Sequence, residues 1–119
     1  ENALQQYPDL DGIYLPTDGQ IPSAYSALEA VDRKFKVGEE GHVTIISIDG
    51  DPVGCQALKD GFVDMILATD VPAMTMAVLQ QTLNGINGET VKASELLPGI
   101  SVTPGNIADN APNVWGCAG

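Results

Sequence analysis

The hydrophobic residues of the chain fall into two alternating patterns, short β-branched runs and longer segments with helical spacing. Val43–Ile48 and Val63–Ala68 are short apolar runs bounded by turn residues, which predicts two strands. The first run is apolar on both faces, as is typical of a strand buried within a parallel sheet. Two further runs, Asp11–Pro16 and Ile100–Thr103, predict one strand before these two and one after them.

Helical spacing predicts one helix after each of the first three strands. The stripe of the first helix consists of Ile21, Ala24, Tyr25, Leu28 and Val31. The second helix is expected to begin with Asp51 as N-cap and Pro52 at its first position, and to end at Asp60. The third is expected over Pro72–Leu83, with its Met and Leu residues in the core and an Asn-Gly pair at its end. The tail, Pro104–Gly119, is predicted to be an irregular strap or a loose end.

This order of strands and helices predicts an α/β fold with a parallel sheet built from right-handed βαβ units. Ligands of such sheets bind at the edge formed by the carboxyl ends of the strands, which we call the rim. Polar side chains follow each of the first three strands there: Thr17 and Asp18, then Asp49, then Thr69 and Asp70. The alternative is that these residues only cap the next helix. Asp49 is the strongest candidate, because it follows the most buried strand and precedes a glycine that allows close approach.

The net charge limits the kinds of partner that the chain is expected to bind. The 119 residues include 16 acidic and 5 basic side chains, for a net charge of −11. So few cations cannot neutralise a phosphate backbone or hold an anionic bilayer, and we expect no nucleic acid and no membrane surface as partner. The longest apolar runs are far shorter than the ~20 residues that span a bilayer. The chain opens at Glu1 without a basic leader region, so any targeting segment is expected to lie outside it.

Motifs for metals, nucleotides and nucleophiles are weak. The segment that starts at Asp49 begins like a calcium loop, but its twelfth position is Asp60 where a bidentate Glu is needed. Neither glycine fingerprint of a nucleotide site occurs, so we expect no metal and no cofactor. His42 precedes a strand, away from the rim, and is expected to be solvent-exposed or structural. Cys55 and Cys117 form a disulfide or stay free thiols, and the sequence leaves both open.

Several segments, in order along the chain, resemble motifs of type I periplasmic binding proteins, particularly the sugar-binding subunits of ABC importers. These segments are Gln5–Asp18, Ile45–Gly50, Ala57–Gly61, Val78–Gly85 and Val102–Ile107. The resemblance implies a three-layer, Rossmann-like parallel sheet that forms part of one lobe of a two-lobed protein. Residues 1–70 then correspond to part of the C-terminal lobe, 71–88 to a crossover helix of the other lobe, and 89–119 to a returning strand and tail.

The same resemblance implies roles for the rim residues. Asp49 corresponds to the family's hydroxyl-binding Asp. Thr17 and Asp18 correspond to an Asn-Asp pair that contacts the ligand, and Thr69 and Asp70 lie near a hinge position that reaches it. Because Thr17 replaces an Asn, the resemblance does not extend to the identity of the sugar.

The function implied is that of a solute-binding protein and not an enzyme. It would be a periplasmic or extracytoplasmic subunit that holds a sugar or polyol between two lobes and docks on the membrane subunits of an ABC importer. The alternatives are the effector-binding core of a LacI-like repressor, an Asp-dependent enzyme of flavodoxin-like shape, and a module without a ligand. Acidity and a Cys55–Cys117 bridge favour the secreted form. For this chain alone we expect weak sugar binding and a homodimer through the crossover helix.

Overall fold

The computed structural model describes residues 2–118, which form one four-stranded sheet with helices. The strands, in their order across the sheet, are β1 (Gly12–Tyr14), β2 (Thr44–Asp49), β3 (Met65–Ala68) and β4 (Ile100–Val102). β1, β2 and β3 are parallel, and β4 pairs with β3 in the antiparallel direction. The predicted α/β, Rossmann-like class is therefore confirmed, although β1 is shorter than the run Asp11–Pro16 that predicted it.

The three predicted helices occur in the predicted order, together with two short helices that were not predicted. The helices are α1 (Asn2–Gln6), α2 (Ile21–Glu29), α3 (Pro52–Asp60), α4 (Val71–Ile86) and α5 (Ile107–Asn110), with short 3-10 turns at Asp18–Gln20 and Ala111–Asn113, and the two that were not predicted are α1 and α5. α3 begins as predicted, because the Asp51 carboxylate accepts a hydrogen bond from the Gly54 backbone N–H and Pro52 occupies the first turn. No helix in residues 2–118 is both long enough and apolar enough to cross a bilayer.

The core lies between one face of the sheet and the helices α2 and α3. Ile45 and Ile66 point into it from the central strands, and Leu28 and Leu58 meet them from the helices, all nearly inaccessible to solvent. The opposite face of the sheet is more open, since Tyr14 and Leu67 are 63% and 38% exposed. Residues 2–118 thus cover one face of the sheet well and the other only in part.

The sheet departs from the all-parallel prediction at β4. After β3 the chain leaves the rim through α4, whose 16 residues span about 24 Å. Residues 87–99 then return to the same edge, so that Ile100 enters the sheet opposite Ala68 and Val102 leaves it opposite Ile66. A chain that returns to the edge it left must run antiparallel to the strand it last occupied.

α4 and residues 87–99, together called the arm, differ from the prediction for this segment. α4 ends at Ile86 and not at Leu83, because Gly85 is accommodated within the last turn. None of its residues is buried, so the expectation that its apolar side chains belong to the core is wrong within residues 2–118. Met76, Leu79 and Ile86 are 66%, 53% and 76% exposed.

The tail is more ordered than the prediction of an irregular strap or loose end. It contains α5 and the second 3-10 turn, and then buries Val114 against the core at 1% exposure. Cys117 forms a disulfide with Cys55 of α3, across a sequence separation of 62 residues. The last turns of the chain are therefore attached to α3 close to the rim.

Candidate functional site at the rim of the sheet

The rim collects the polar residues that the sequence places after β1, β2 and β3. Asp49 is the last residue of β2 and pairs with Ala68 of β3. Thr69, which follows Ala68, donates its backbone N–H to the Asp49 carbonyl at 3.0 Å. Asp18 reaches the loop after β2, where it accepts a hydrogen bond from the Gly50 N–H at 2.7 Å. The parallel strands thus bring these segments together as the fold predicts.

Asp18 is fully buried and its carboxylate is saturated. One oxygen accepts a hydrogen bond from the Ser47 hydroxyl, and the other accepts from the backbone N–H groups of Gly50 and Asp51. Burial raises the pKa of Asp18, and these hydrogen bonds oppose that rise. At 0% exposure this side chain has no surface to offer a solute, so the geometry gives it a supporting role in place of the ligand contact expected from the sequence.

Thr17 and Asp70 act as caps. The Thr17 hydroxyl oxygen accepts from the Gly19 N–H at 3.3 Å, and one Asp70 carboxylate oxygen accepts from the Ala73 N–H at 2.9 Å at the start of α4. Capping leaves the Thr17 O–H free to donate and the second Asp70 oxygen free to accept. Both residues are only half-buried, so each can cap a helix and still face a solute.

Asp49 combines an unusual backbone with an unpartnered side chain. Its φ is +120°, a backbone conformation that residues other than glycine rarely adopt and that is concentrated at functional sites. Its carbonyl accepts two hydrogen bonds, from the Thr69 N–H and from the Trp115 indole N–H, each at 3.0 Å. Within residues 2–118 its half-buried carboxylate has no hydrogen-bond partner. It is therefore the carboxylate of the rim that is most available to a ligand.

A glycine next to Asp49 makes this geometry attainable. Gly50 has a φ of +76°, and a Cβ placed on it would lie 2.6 Å from the Cβ of Ala68 and 2.9 Å from Val114. A side chain here is excluded both by conformation and by space. Gly50 is thus required for the loop, and the Asp-Gly pair at 49–50 is also the motif that identified the site in the sequence.

A cavity of about 290 Å³ opens beside the end of β3. Its polar lining comes from Thr69, Asp70 and Glu95, and its apolar lining includes Ile48, Leu67 and Met74. This volume is near the lower limit for a small-molecule pocket. The cavity joins two of the predicted site residues to the first turn of α4 and to residues 95–99 of the arm.

Two residues of the site are absent from the sequence-based expectation. Trp115 lies in a tail predicted to be irregular, and no pattern in the sequence places its indole against Asp49. Glu95 lies in the arm, where no periodicity fixes its position, and the structure orders it through contacts with Lys92 and Gln81. The sequence offered one signal for Trp115, namely that it is the single tryptophan of the chain, and none for Glu95.

Other candidates lie away from the rim. His42 lies at the opposite edge of the sheet, where its ring nitrogens contact the Asp64 carboxylate and the Phe35 carbonyl, both at 2.9 Å. Both partners are acceptors, so both ring nitrogens donate when the imidazole is protonated. Burial alone would lower the pKa of His42, but the hydrogen bonds to Asp64 and Phe35 outweigh burial and raise it. Among residues 2–118 no three His, Cys, Asp or Glu side chains are close enough to hold a metal ion.

Comparison with known proteins gives a family match and structural relatives of the fold. A family model described as periplasmic binding protein domain matches residues 1–90. A crystal structure of a Mycobacterium smegmatis protein in complex with β-D-fucofuranose superposes with a TM-score of 0.75 at 22% sequence identity. The match covers 94% of this chain but only 35% of that protein, so the chain spans about a third of its length. A search of curated protein sequences finds no match.

Proposed function

Because the chain belongs to the periplasmic binding protein domain family, we propose that the protein that carries it binds a sugar or polyol at the rim. In this proposal the ligand hydroxyls donate to the Asp49 carboxylate, and Thr17, Thr69 and Asp70 supply the neighbouring polar contacts. The observation that carries the proposal is the Asp49 side chain, a half-buried carboxylate without a partner in residues 2–118, on a backbone held at a φ of +120°.

The chemistry of the available groups favours a neutral, hydroxylated ligand. An ionised carboxylate only accepts hydrogen bonds, and a sugar presents several O–H donors at fixed angles. Hydrogen bonds to charged acceptors are also the stronger ones. A phosphorylated or carboxylated ligand would meet repulsion, because Asp70 and Glu95 line the cavity, Asp49 ends the neighbouring strand, and the chain carries a net charge of −11.

A second lobe completes the site in this proposal. The arm exposes apolar side chains of α4, and a groove of about 480 Å³ lined by Val78, Val91 and Leu97 runs along it. In the whole protein we assign residues 71–88 to the other lobe, which covers the exposed surface of the arm and closes over the ligand. Residues 1–70 then form part of the C-terminal lobe and 89–119 its returning strand and tail. In the isolated 119-residue chain a second copy covers the arm, and sedimentation would report a doubled mass.

The proposed sugar binding also suggests a cellular role. We propose a subunit that delivers its solute to the membrane subunits of an ABC importer, outside the cytoplasm. The Cys55–Cys117 disulfide supports this location, because disulfides persist in oxidising compartments and are rare in the cytosol. For that reason we prefer it to a LacI-like repressor core, which works in the cytoplasm.

Calorimetric titration with neutral pentoses, hexoses and polyols tests the proposal on the protein that carries this chain. Asp49→Ala is expected to weaken binding of the best ligand by about 1–3 kcal/mol, the loss typical of hydrogen bonds to a charged acceptor. Asp49→Asn keeps the shape and is expected to lose less, since the amide oxygen still accepts one hydrogen bond.

The matched control is Asp9→Ala. This exposed carboxylate precedes β1, at the end of the sheet opposite the rim, so removing it changes the net charge equally without touching the site. The Asp9→Ala variant should bind the ligand with the affinity of the unmodified protein. Equal affinity of the Asp49→Ala variant, or equal loss in both variants, would remove Asp49 from the site.

A further inference from the structure

The backbone of Asp49 needs support to keep its conformation. A non-glycine residue at a φ of +120° is strained and persists only where its surroundings hold it. Its carbonyl receives one hydrogen bond from Thr69, which directly follows the neighbouring strand β3. The second comes from the Trp115 indole, 66 residues away in the sequence. The indole therefore adds a contact that the sheet itself does not provide.

Trp115 belongs to a short segment, Val114–Cys117, that we call the strap. The Gly116 N–H donates to the Gly50 carbonyl at 3.0 Å, and a side chain at Gly116 would overlap the backbone of Asp51. The strap thus lies directly on the loop that follows β2.

The strap is attached at both ends. Val114 is 1% exposed and packs within reach of the Gly50 position. Cys117 is joined covalently to Cys55, which is itself 2% exposed in α3. The indole between these two anchors is consequently fixed over the Asp49 carbonyl, although the Trp115 side chain as a whole is 46% exposed.

We propose that the strap is a positioning element for Asp49. It fixes the Asp49 backbone through the indole N–H and thereby aims the carboxylate, while the disulfide keeps the strap in place. This proposal deepens the proposed function and rests on it. It assigns Trp115 a role in affinity that acts through Asp49 and does not need contact with the sugar.

The first test is Trp115→Phe, which removes the N–H donor and keeps an aromatic ring. Sugar affinity of the protein that carries this chain should fall about three- to tenfold, the range that loss of one hydrogen bond gives. Trp115→His, which can donate again from a ring nitrogen, should recover part of that loss. Far-ultraviolet circular dichroism of each variant establishes that the fold is intact.

A double-mutant cycle separates positioning from general packing. Glycine adopts a φ of +120° without strain, so in an Asp49→Gly background the strap has no conformation to hold. Trp115→Phe should lower the midpoint of urea unfolding with Asp49 present and change it much less in the Asp49→Gly background. An equal decrease in both backgrounds would mean that Trp115 only packs, and would overturn the proposal.

Affinity in the same variants separates the two proposals. If Asp49→Gly keeps full sugar affinity, Asp49 is not in the site and the proposed function fails. If Asp49→Gly loses affinity while Trp115→Phe keeps it, the site stands and the strap is not a positioning element. The strap proposal predicts that both variants lose affinity and that Asp49→Gly loses more than Trp115→Phe.

Reduction of the disulfide gives a second, independent test of the strap proposal. Dithiothreitol supplies two electrons and two protons, so the Sγ–Sγ bond breaks into two thiols and the reagent closes to its own cyclic disulfide. Trp115 is the single tryptophan of the 119-residue chain, so emission measured on that chain reports on the strap directly, while affinity is measured on the protein that carries it. On reduction, and in the Cys55→Ser/Cys117→Ser variant without reductant, the emission should shift to the red and sugar affinity should fall. Unchanged emission and affinity in both samples would contradict the proposal.

Discussion

The layer formed by the sheet with α2 and α3 and the arm formed by α4 with residues 87–99 carry similar apolar patterns but use them differently. α2 buries Ile21 and Leu28 to 1% and 2% exposure. α4 is longer and at least as rich in apolar residues, yet no side chain in it is buried. Residues 87–99 are attached to α4 by surface contacts, such as the hydrogen bond from the Lys92 N–H to the Gln81 side chain at 2.9 Å.

This difference teaches what an amphipathic pattern does and does not specify. The pattern states that a face avoids water, but the partner that covers the face is a matter of tertiary context. In α2 the partner is the sheet of the same chain. In α4 the described residues cover the helix only in part and bury none of its side chains, which fits our proposal that a second lobe covers the arm.

The largest expected effect that tests this comparison is a matched pair of leucine truncations. Leu28→Ala should lower the free energy of unfolding by about 2–5 kcal/mol, because the side chain is 2% exposed and leaves a cavity in the core. Leu79→Ala in the arm should change it by less than about 0.5 kcal/mol, because Leu79 is 53% exposed. Urea unfolding of the 119-residue chain measures both, followed by circular dichroism at a protein concentration at which sedimentation shows a monomer. Similar losses in the two variants would mean that the arm is covered within the single chain.

An intermediate effect is expected for the buried carboxylate of the layer. Asp18→Ala removes the acceptor of the Ser47 hydroxyl and of two backbone N–H groups, and unsatisfied buried donors are costly. We expect a loss of about 2–3 kcal/mol in the same unfolding experiment. The control is Glu95→Ala in the arm, whose carboxylate also accepts from two side chains but is open to solvent. If the Glu95 variant is the less stable of the two, polar contacts in the arm matter more than the comparison allows.

The smallest effect concerns the ion pair between His42 and Asp64, with side chains only 11% and 24% exposed. Because the pKa of His42 is raised above its ordinary value of 6.5, this pair stabilises the fold fully below that pH, and its contribution is lost as the pH rises through the raised pKa. We expect about 1 kcal/mol or less, because the cost of removing the charged imidazole from water offsets part of the gain from the pair.

Unfolding midpoints between about pH 6 and pH 8 test this dependence. The unmodified chain should lose stability over that range, and His42→Gln should lose less. Lys92→Ala in the arm is the control, because it removes an exposed ion pair, Lys92–Glu95, that does not involve His42 or Asp64. A slope that survives in the His42→Gln variant would assign the dependence to another group.

Most of the layer could be predicted from the sequence. The β-branched run of β2, the cap at Asp51 and the stripe of α2 are local signals, and each fixes an element by itself. The direction of β4 and the end of α4 could not be predicted in this way. Both depend on where residues 87–99 return, and a polar segment without periodicity does not encode its path.

The site was predictable to a similar degree. Position after a strand was sufficient to place Thr17, Asp49, Thr69 and Asp70 at the rim, because parallel strands end at one edge. Position alone could not distinguish a carboxylate that faces solvent from one that is buried under the next loop, as Asp18 is. That distinction depends on the approach of two loops, and the contribution of Trp115 depends on a tail folded back by a disulfide.

The disulfide also has a consequence for the integrity of the chain. The whole arm lies between Cys55 and Cys117 in the sequence, so a covalent ring encloses the most exposed and protease-accessible part of the molecule. A protease that cuts the arm once opens the ring without releasing a fragment. The nicked protein would keep its mass, run as one band on a non-reducing gel, and separate into two pieces only after a reductant is added.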